Sequence, residues 1–211
     1  MYRLTTALQR LTEREKLYSY YPDTGPLRRE LYVKHLEFFA AGSVHNERAL
    51  LGGNRSGKTL AGAYEMTCHL TGIYAHWWKG RRFDKPVRAW SAGDTAKTVR
   101  DIMQVSLLGP HGEHGTGVIP GDLIERTTPK QGIADAIESV YVRHVSGKMS
   151  VLQFKSFDQG RDSFQGTSQE VIHLDEECPI AIYTECLLRT MTVNGVVYLT
   201  ATPLLGMTEL M

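Results

Sequence analysis

Apolar residues follow two different periods along this chain. Their pattern predicts helices over 4–20, from 26 to about 41, and over 60–70, 95–108 and 180–191. Short apolar runs predict strands over 49–51, 87–92, 139–145, 150–157, 170–174 and 196–200. The glycine at 147 predicts a turn, so we expect the strands before and after it to form a hairpin. Strands that alternate with helices predict an α/β fold with a mostly parallel, doubly wound central sheet.

The first predicted strand runs into a glycine-rich segment, made of Gly52, Gly53, Asn54, Arg55, Ser56, Gly57, Lys58 and Thr59. This segment fits the phosphate-binding pattern G-x-x-x-x-G-K-[ST] at every fixed position. Glycines let the backbone turn its N–H groups toward a phosphate, and Lys58 adds a compact positive charge. The Thr59 hydroxyl is the expected Mg²⁺ ligand. The segment therefore predicts an ATP site at the start of a helix, where the helix dipole also favours an anion.

A later apolar strand ends in three acids, and it supplies the expected partners of this loop. Asp175 is the predicted second Mg²⁺ ligand, usually through water in such sites. Glu176 is the predicted base that activates the attacking water, with Glu177 as the fallback. Thr200 and Thr202 lie at the end of the last predicted strand, where small hydroxyl residues can report the nucleotide state. The sequence thus predicts hydrolysis as well as binding.

Composition narrows the class of protein. The chain has 211 residues, 42% hydrophobic and 22% charged, which is enough for one sizeable core. We expect a helical extension over 1–42 that packs on an ATPase core over 43–211. The net charge of +1 provides no global basic field for nucleic acid. Three cysteines without a C-x-x-C pair indicate a reducing compartment. The sequence shows neither a signal peptide nor an apolar run near the ~20 residues that span a membrane.

Three segments carry a more specific resemblance. They are the loop at 52–59, the segment Gly-Ile-Tyr-Ala-His-Trp-Trp-Lys-Gly-Arg-Arg-Phe at 72–83, and Asp-Gln-Gly-Arg-Asp-Ser-Phe-Gln-Gly at 158–166. The acidic strand end at Asp175 and Glu176, and then Thr200 and Thr202, follow the phosphate loop in the chain. With these elements in this order, the chain resembles the ATPase domain of the large terminase subunit, the DNA-packaging motor of tailed bacteriophages. The resemblance runs from about Arg28 to Thr208. It implies a three-layer P-loop NTPase fold of the RecA-like, ASCE type.

The resemblance implies a motor that uses ATP and Mg²⁺ to pump double-stranded viral DNA into a procapsid. Its implied partners are the DNA, a portal protein, the small terminase subunit and other copies of the chain in a ring, expected to be a pentamer. The implied location is the cytoplasm of the infected host cell. Family members carry a C-terminal nuclease domain, but this chain stops at Met211 without a second carboxylate cluster. We therefore expect no nuclease activity in it, either as an isolated ATPase domain or as a split gene product.

Ring ATPases usually need an arginine that neutralises charge on the transferred phosphate. Arg55 could act in cis, although relatives often carry this arginine where Asn54 stands. Arg161 could reach a neighbouring subunit, and Arg81 and Arg82 are the third option. The last two also belong to a basic patch that could contact DNA phosphates or another subunit, formed with Lys79, Lys85 and Arg88.

The family's adenine-contacting glutamine has no counterpart before the first strand. There the chain offers His35, which could stack on adenine, and Phe38 and Phe39, which we expect to pack in the core. Two other functions remain open at this point. A helicase-like, nucleic-acid-dependent ATPase would carry the same motifs, but it normally needs a second recombinase-like domain. A nucleotide-dependent assembly module would bind ATP without hydrolysing it.

Overall fold

A single seven-stranded sheet organises the protein, as shown by a computed structural model that describes residues 16–203. Its strands are β1 (Glu47–Leu51), β2 (Arg88–Gly93), β3 (Ile124–Pro129), β4 (Ile137–Arg143), β5 (Met149–Ser156), β6 (Val171–Asp175) and β7 (Val196–Ala201). The spatial order is β1-β7-β6-β2-β5-β4-β3. The first five strands in this order are parallel, and the last two pairings are antiparallel. The predicted mostly parallel sheet is confirmed.

Helices cover both faces of this sheet. They are α1 (Lys16–Ser19), α2 (Val33–Ala41), α3 (Lys58–Thr71), α4 and α5 (Ile180–Met191), where α4 joins Ala96–Thr98, a π-helical Val99–Gln104 and Val105–Leu108. The helices α2, α3 and α4 share one apolar core with one face of the sheet. On the other face, α5 packs with two short 3₁₀ turns, Phe157–Gln159 and Arg161–Phe164. The result is a three-layer arrangement.

Alternation along β6 distributes its side chains between the two layers. Val171 faces the core that contains α3, and Ile172 and Leu174 face the core that contains α5. Because successive strand residues point to opposite faces, His173 and Asp175 lie on the α3 side. The parallel strands β1, β7 and β6 also end at one edge of the sheet. The phosphate loop after β1, Glu176 after β6 and Thr202 after β7 therefore lie at this edge.

Two elements differ from the sequence pattern, and a third lies partly outside the described residues. The helix expected from residue 26 begins with a 3₁₀ turn at Arg29–Tyr32, and its α-helical part starts at Val33. Strand β3 was not predicted, because its largely exposed residues lack a regular apolar alternation. Of the helix predicted over 4–20, the part before residue 16 lies outside the described residues.

The N-terminal segment and the core are packed together. Phe38 and Phe39 are buried in the same apolar cluster as α3, as expected for core residues. Tyr21 joins this cluster and contacts the rings of Phe39 and Tyr64. The domain boundary at residue 42 stays a prediction. Within residues 16–203, no helix combines the length and apolarity needed to cross a membrane.

Candidate nucleotide site

The glycine-rich loop connects the end of β1 to the start of α3. Gly57 has a φ of 82° and Arg55 a φ of 62°, so the loop uses left-handed backbone at two positions. Glycine adopts this conformation without strain, whereas arginine does so only where the surroundings hold it. The helix α3 begins at Lys58, so its first N–H groups lie at the end of the loop. This is the arrangement that binds phosphate in proteins.

The Lys58 side chain lies against the same loop. Its Nζ donates a hydrogen bond to the Gly53 carbonyl oxygen at 2.9 Å, and the residue is buried. A buried ammonium with a single backbone acceptor keeps donors for an additional anionic partner. The predicted phosphate-binding lysine is therefore positioned by its own loop.

Asp175 and Thr59 meet across the gap between β6 and α3. The Thr59 hydroxyl donates to Asp175 Oδ1 at 2.9 Å, with Oδ2 at 3.1 Å. The Thr200 hydroxyl, at the end of β7, donates to Asp175 Oδ1 at 2.6 Å. Burial raises the pKa of the Asp175 carboxyl, while these two hydrogen bonds and the nearby charge of Lys58 oppose the rise. A carboxylate and a hydroxyl at this separation are hard oxygen donors that fit Mg²⁺.

Glu176 follows Asp175 in a strained conformation. Its φ is 74°, which is unusual for glutamate, and its N–H donates to the Thr200 carbonyl oxygen at 2.8 Å. The exposed carboxylate accepts a hydrogen bond from the Thr202 N–H at 3.2 Å. Strained residues of this kind cluster at functional sites. Glu177, the fallback base, makes no hydrogen bond or ion pair with any described residue.

Thr202 connects this glutamate to the phosphate loop. Its hydroxyl donates to Asn54 Oδ1 at 3.2 Å, and its N–H contacts Glu176. The structure therefore brings both predicted sensor residues to the site: Thr200 contacts Asp175, and Thr202 bridges Asn54 and Glu176.

His35 of α2 contacts the phosphate loop, and the sequence did not indicate this contact. Its Nε2 lies 3.1 Å from the Ser56 carbonyl oxygen, and its Nδ1 lies 2.9 Å from the Tyr21 hydroxyl. Because a carbonyl only accepts, Nε2 carries the proton and Nδ1 accepts from Tyr21. A side chain at Gly57 would approach His35 Cε1 to 3.2 Å. His35 therefore fixes the loop from the N-terminal segment.

The candidate arginines have different surroundings. Arg55 is exposed and has no hydrogen-bond or ion-pair partner among residues 16–203. Arg161 is bound to Glu185 of α5 through two nitrogens, at 3.0 and 2.9 Å. Glu185 also pairs with Arg189, so Arg161 belongs to a network within its own subunit. Of the two, Arg55 is the one free to meet a nucleotide.

The basic patch is largely engaged in internal contacts. Arg81 donates to Asn46 Oδ1 and to the Asn194 carbonyl oxygen. Arg88 pairs with Glu170 at 3.1 Å, and Arg82 lies over the Tyr74 ring. The two neighbouring tryptophans serve packing: Trp78 is buried, and Trp77 stacks on Tyr64 with ring centroids 6.0 Å apart. Lys79 and Lys85 are the patch residues without a partner in the described part of the chain.

The geometry defines a class of protein. A mostly parallel sheet carries a phosphate loop after β1 and an acidic pair at the end of β6. Strand β7 lies between these two strands, and its threonine contacts the aspartate. This is the arrangement of a P-loop NTPase with the RecA-like fold. The family model described as terminase large subunit, T4likevirus-type, N-terminal, matches residues 49–211. The chain therefore belongs to the terminase large-subunit family of bacteriophage DNA packaging.

Individual relatives agree with this assignment. The large terminase subunit of Salmonella phage P22 is 35% identical over 198 residues, which cover 84% of this chain and 40% of that protein. The chain thus spans well under half of that relative. The large terminase ATPase domain of Thermus phage P74-26 superposes with a TM-score of 0.51 at 19% identity, covering 75% of this chain and 60% of that one. The large terminase of another thermophilic bacteriophage gives a TM-score of 0.53 at 12% identity, covering 90% and 38%. The last two support the fold alone.

Proposed function

We propose that this chain hydrolyses ATP and that hydrolysis drives double-stranded viral DNA into a procapsid. The observation that carries the proposal is the convergence of four side chains at one sheet edge, namely Lys58, Thr59, Asp175 and Glu176. Membership of the terminase large-subunit family supports DNA packaging as the use of this hydrolysis.

Each residue has a role that follows from its position. The loop N–H groups and Lys58 bind the phosphates, and Thr59 and Asp175 would hold Mg²⁺. The bound metal would neutralise phosphate charge and orient the transferred group. Glu176 takes the proton of the attacking water once its carboxylate leaves the Thr202 N–H. Thr202 also contacts Asn54, so the movement that frees Glu176 is coupled to the phosphate loop.

The arginine of the reaction is proposed to be Arg55, in cis. Its exposure and lack of a partner among the described residues support this role. Arg161 would have to leave a carboxylate that is almost fully buried, with Glu185 at 3% side-chain exposure, before it could act on a neighbouring subunit. Separating Arg161 from this buried carboxylate costs free energy even though Arg189 stays paired with Glu185, which places Arg161 second.

The proposed partners follow the family assignment. They are double-stranded DNA, a portal protein, the small terminase subunit and further copies of this chain in a ring, in the cytoplasm of the infected cell. The lysines of the basic patch that have no partner among the described residues, Lys79 and Lys85, are the available positions there for phosphate or acidic groups.

Phosphate release from ATP tests this function, with and without double-stranded DNA. We expect Glu176→Gln to lower kcat by at least about 100-fold, because it removes the general base. Glu177→Gln is the matched control, since this neighbouring acid has no hydrogen bond or ion pair with a described residue; it should stay within about threefold of the wild type. Arg55→Ala should also lower kcat strongly, by about 1000-fold if it stabilises the transferred phosphate.

Two results would contradict the proposal. A Glu177→Gln variant that loses activity while Glu176→Gln keeps it would reverse the assignment of the base. Wild-type protein that binds ATP but never turns it over, even when assembled on portal with DNA, would support the non-hydrolysing assembly module instead.

A further inference from the structure

His173 is a buried histidine between two buried apolar residues of β6, Ile172 and Leu174. It lies on β6, two residues before Asp175, on the face that packs against α3. Its side chain is 1% exposed, and its ring stacks on Tyr198 with centroids 4.9 Å apart. An apolar residue could fill this position without burying a polar group, so the imidazole needs a reason beyond packing.

The hydrogen bonds of His173 have a fixed direction. Asp175 as a carboxylate only accepts, so the Thr200 hydroxyl donates its single proton to Oδ1 at 2.6 Å. Thr200 Oγ1 must then accept from His173 Nε2, which lies 2.7 Å away. The direct distance from His173 Nε2 to Asp175 Oδ1 is 3.9 Å, beyond hydrogen-bond range. His173 therefore acts on Asp175 only through Thr200.

The protein holds the imidazole in this orientation. His173 Nδ1 is buried and has no hydrogen-bond partner among the described residues, so the Nε2 contact is its only one. A side chain at Gly62 of α3 would approach His173 Cε1 and Nε2 to 2.4 Å. Tyr198 covers the ring and donates through its hydroxyl to the Gly62 carbonyl oxygen at 3.0 Å. Glycine at 62 thus makes the space that the ring occupies.

We propose that His173 is a positioning residue that orients the Thr200 hydroxyl toward Asp175 and thereby presents the Asp175 carboxylate for Mg²⁺. The inference rests on the proposed nucleotide site and adds an outer contact to it. With Nε2–H donating to Oγ1, the threonine hydroxyl proton points away from His173 and toward Asp175. Without His173, this hydroxyl can rotate away, and Asp175 loses its shortest hydrogen bond.

ADP binding in magnesium-containing and EDTA buffers tests the inference by calorimetry. The Kd in EDTA divided by the Kd in magnesium measures how much Mg²⁺ strengthens ADP binding. We expect His173→Leu to reduce this ratio by about tenfold, as for other outer contacts of metal ligands, and to leave the Kd in EDTA unchanged. His173→Gln can place an amide N–H near Nε2, so it should keep the ratio within about threefold.

Matched variants separate positioning from packing. His144→Leu removes another buried histidine, next to Gly72 beyond the far end of α3, and it should leave the ratio unchanged. Thr200→Val should reproduce the loss, and adding His173→Leu to it should reduce the ratio no further. If His173→Leu does not fold, His173→Asn replaces it, because the shorter amide cannot reach Thr200.

The outcomes distinguish this inference from the proposed function. A wild type that binds no ADP in either buffer overturns the proposed function and the inference with it. A wild type with a clear magnesium effect that His173→Leu or His173→Asn retains overturns the inference alone. Additive losses for His173→Leu and Thr200→Val would also overturn it, because they would place the two residues in separate effects.

Discussion

At the scale of single residues, a buried ion pair ties the first strand to α3. Arg48 of β1 donates to Glu65 at 2.7 Å, and the two side chains are 3% and 0% exposed. His69 Nε2 lies 3.2 Å from the same carboxylate. Arg48 and His69 hold the pKa of Glu65 below its usual range, although burial opposes them as the largest single influence. The phosphate loop joins these two elements, so this pair holds together the strand before the loop and the helix after it.

Loss of the Glu65 charge should be strongly destabilising. Glu65→Gln leaves Arg48 buried without a counter-charge, and we expect the free energy of unfolding to fall by about 3 kcal/mol or more. Glu37→Gln is the matched control, because its pair with Lys34 at 2.7 Å is largely exposed. That change should cost less than about 1 kcal/mol. Urea unfolding of both variants checks the difference, and equal costs would contradict a structural role for the buried pair.

At the scale of elements, α3 links the site to the opposite edge of the sheet, where the β4–β5 turn lies. It begins with the loop lysine and ends at Gly72, whose φ is 72° and whose N–H donates to the Cys68 carbonyl oxygen. A side chain at Gly72 would lie 2.4 Å from His144 Nε2. This cap therefore combines a left-handed backbone with close contact to the β4–β5 hairpin.

Substitutions at two left-handed glycines separate these effects. Gly147→Ala, in the hairpin turn, has a φ of 80° and open space, so backbone strain of about 1–2 kcal/mol is its expected cost. Gly72→Ala should cost about 1–3 kcal/mol more, because His144 must move. Urea unfolding midpoints give the two losses of stability, provided that the dependence of the unfolding free energy on urea is unchanged. Similar losses of stability in both variants would contradict this expectation, because they would show that His144 and the hairpin move without a measurable cost.

At the scale of the whole molecule, burial sets the pH range of stability. Burial lowers the pKa of His35, His69 and His144, so these rings stay neutral to a lower pH in the folded protein than in the unfolded chain. Between the ordinary histidine value of 6.5 and the lowered folded values, the unfolded chain binds these protons and the folded chain does not. The contribution of these histidines to stability is therefore greatest above the ordinary value and is lost as the pH decreases toward the lowered folded values.

We expect the thermal midpoint to fall measurably between pH 7.5 and pH 5.5. Each histidine that is protonated only in the unfolded chain contributes a slope of up to about 1.4 kcal/mol per pH unit below its unfolded pKa. His144→Gln should reduce the slope, because it removes one such group. A midpoint that stays constant or rises as the pH falls would contradict this assignment.

Much of the fold and the centre of the site were readable from the sequence. Gly52–Thr59, the acidic strand end and the strand–helix alternation are local patterns, in which spacing along the chain reflects backbone geometry. They predicted the mostly parallel sheet and the grouping of Lys58, Thr59 and Asp175, because parallel strands end at the same edge. Exposed β3 escaped this reasoning, since its residues need no regular apolar alternation.

Only the tertiary structure decided which side chains meet around that centre. The order of the strands places β7 between β1 and β6, so Thr200 reaches Asp175, and His173 reaches Thr200 from 27 positions away in the chain. The same holds for His35 below the loop and for Arg161 beside Glu185. Such contacts depend on strand order, register and helix packing, which are set by the free energy of burying the whole core. The sequence thus identified the residues that we propose for phosphate and magnesium, and the packed sheet determined which side chains contact them.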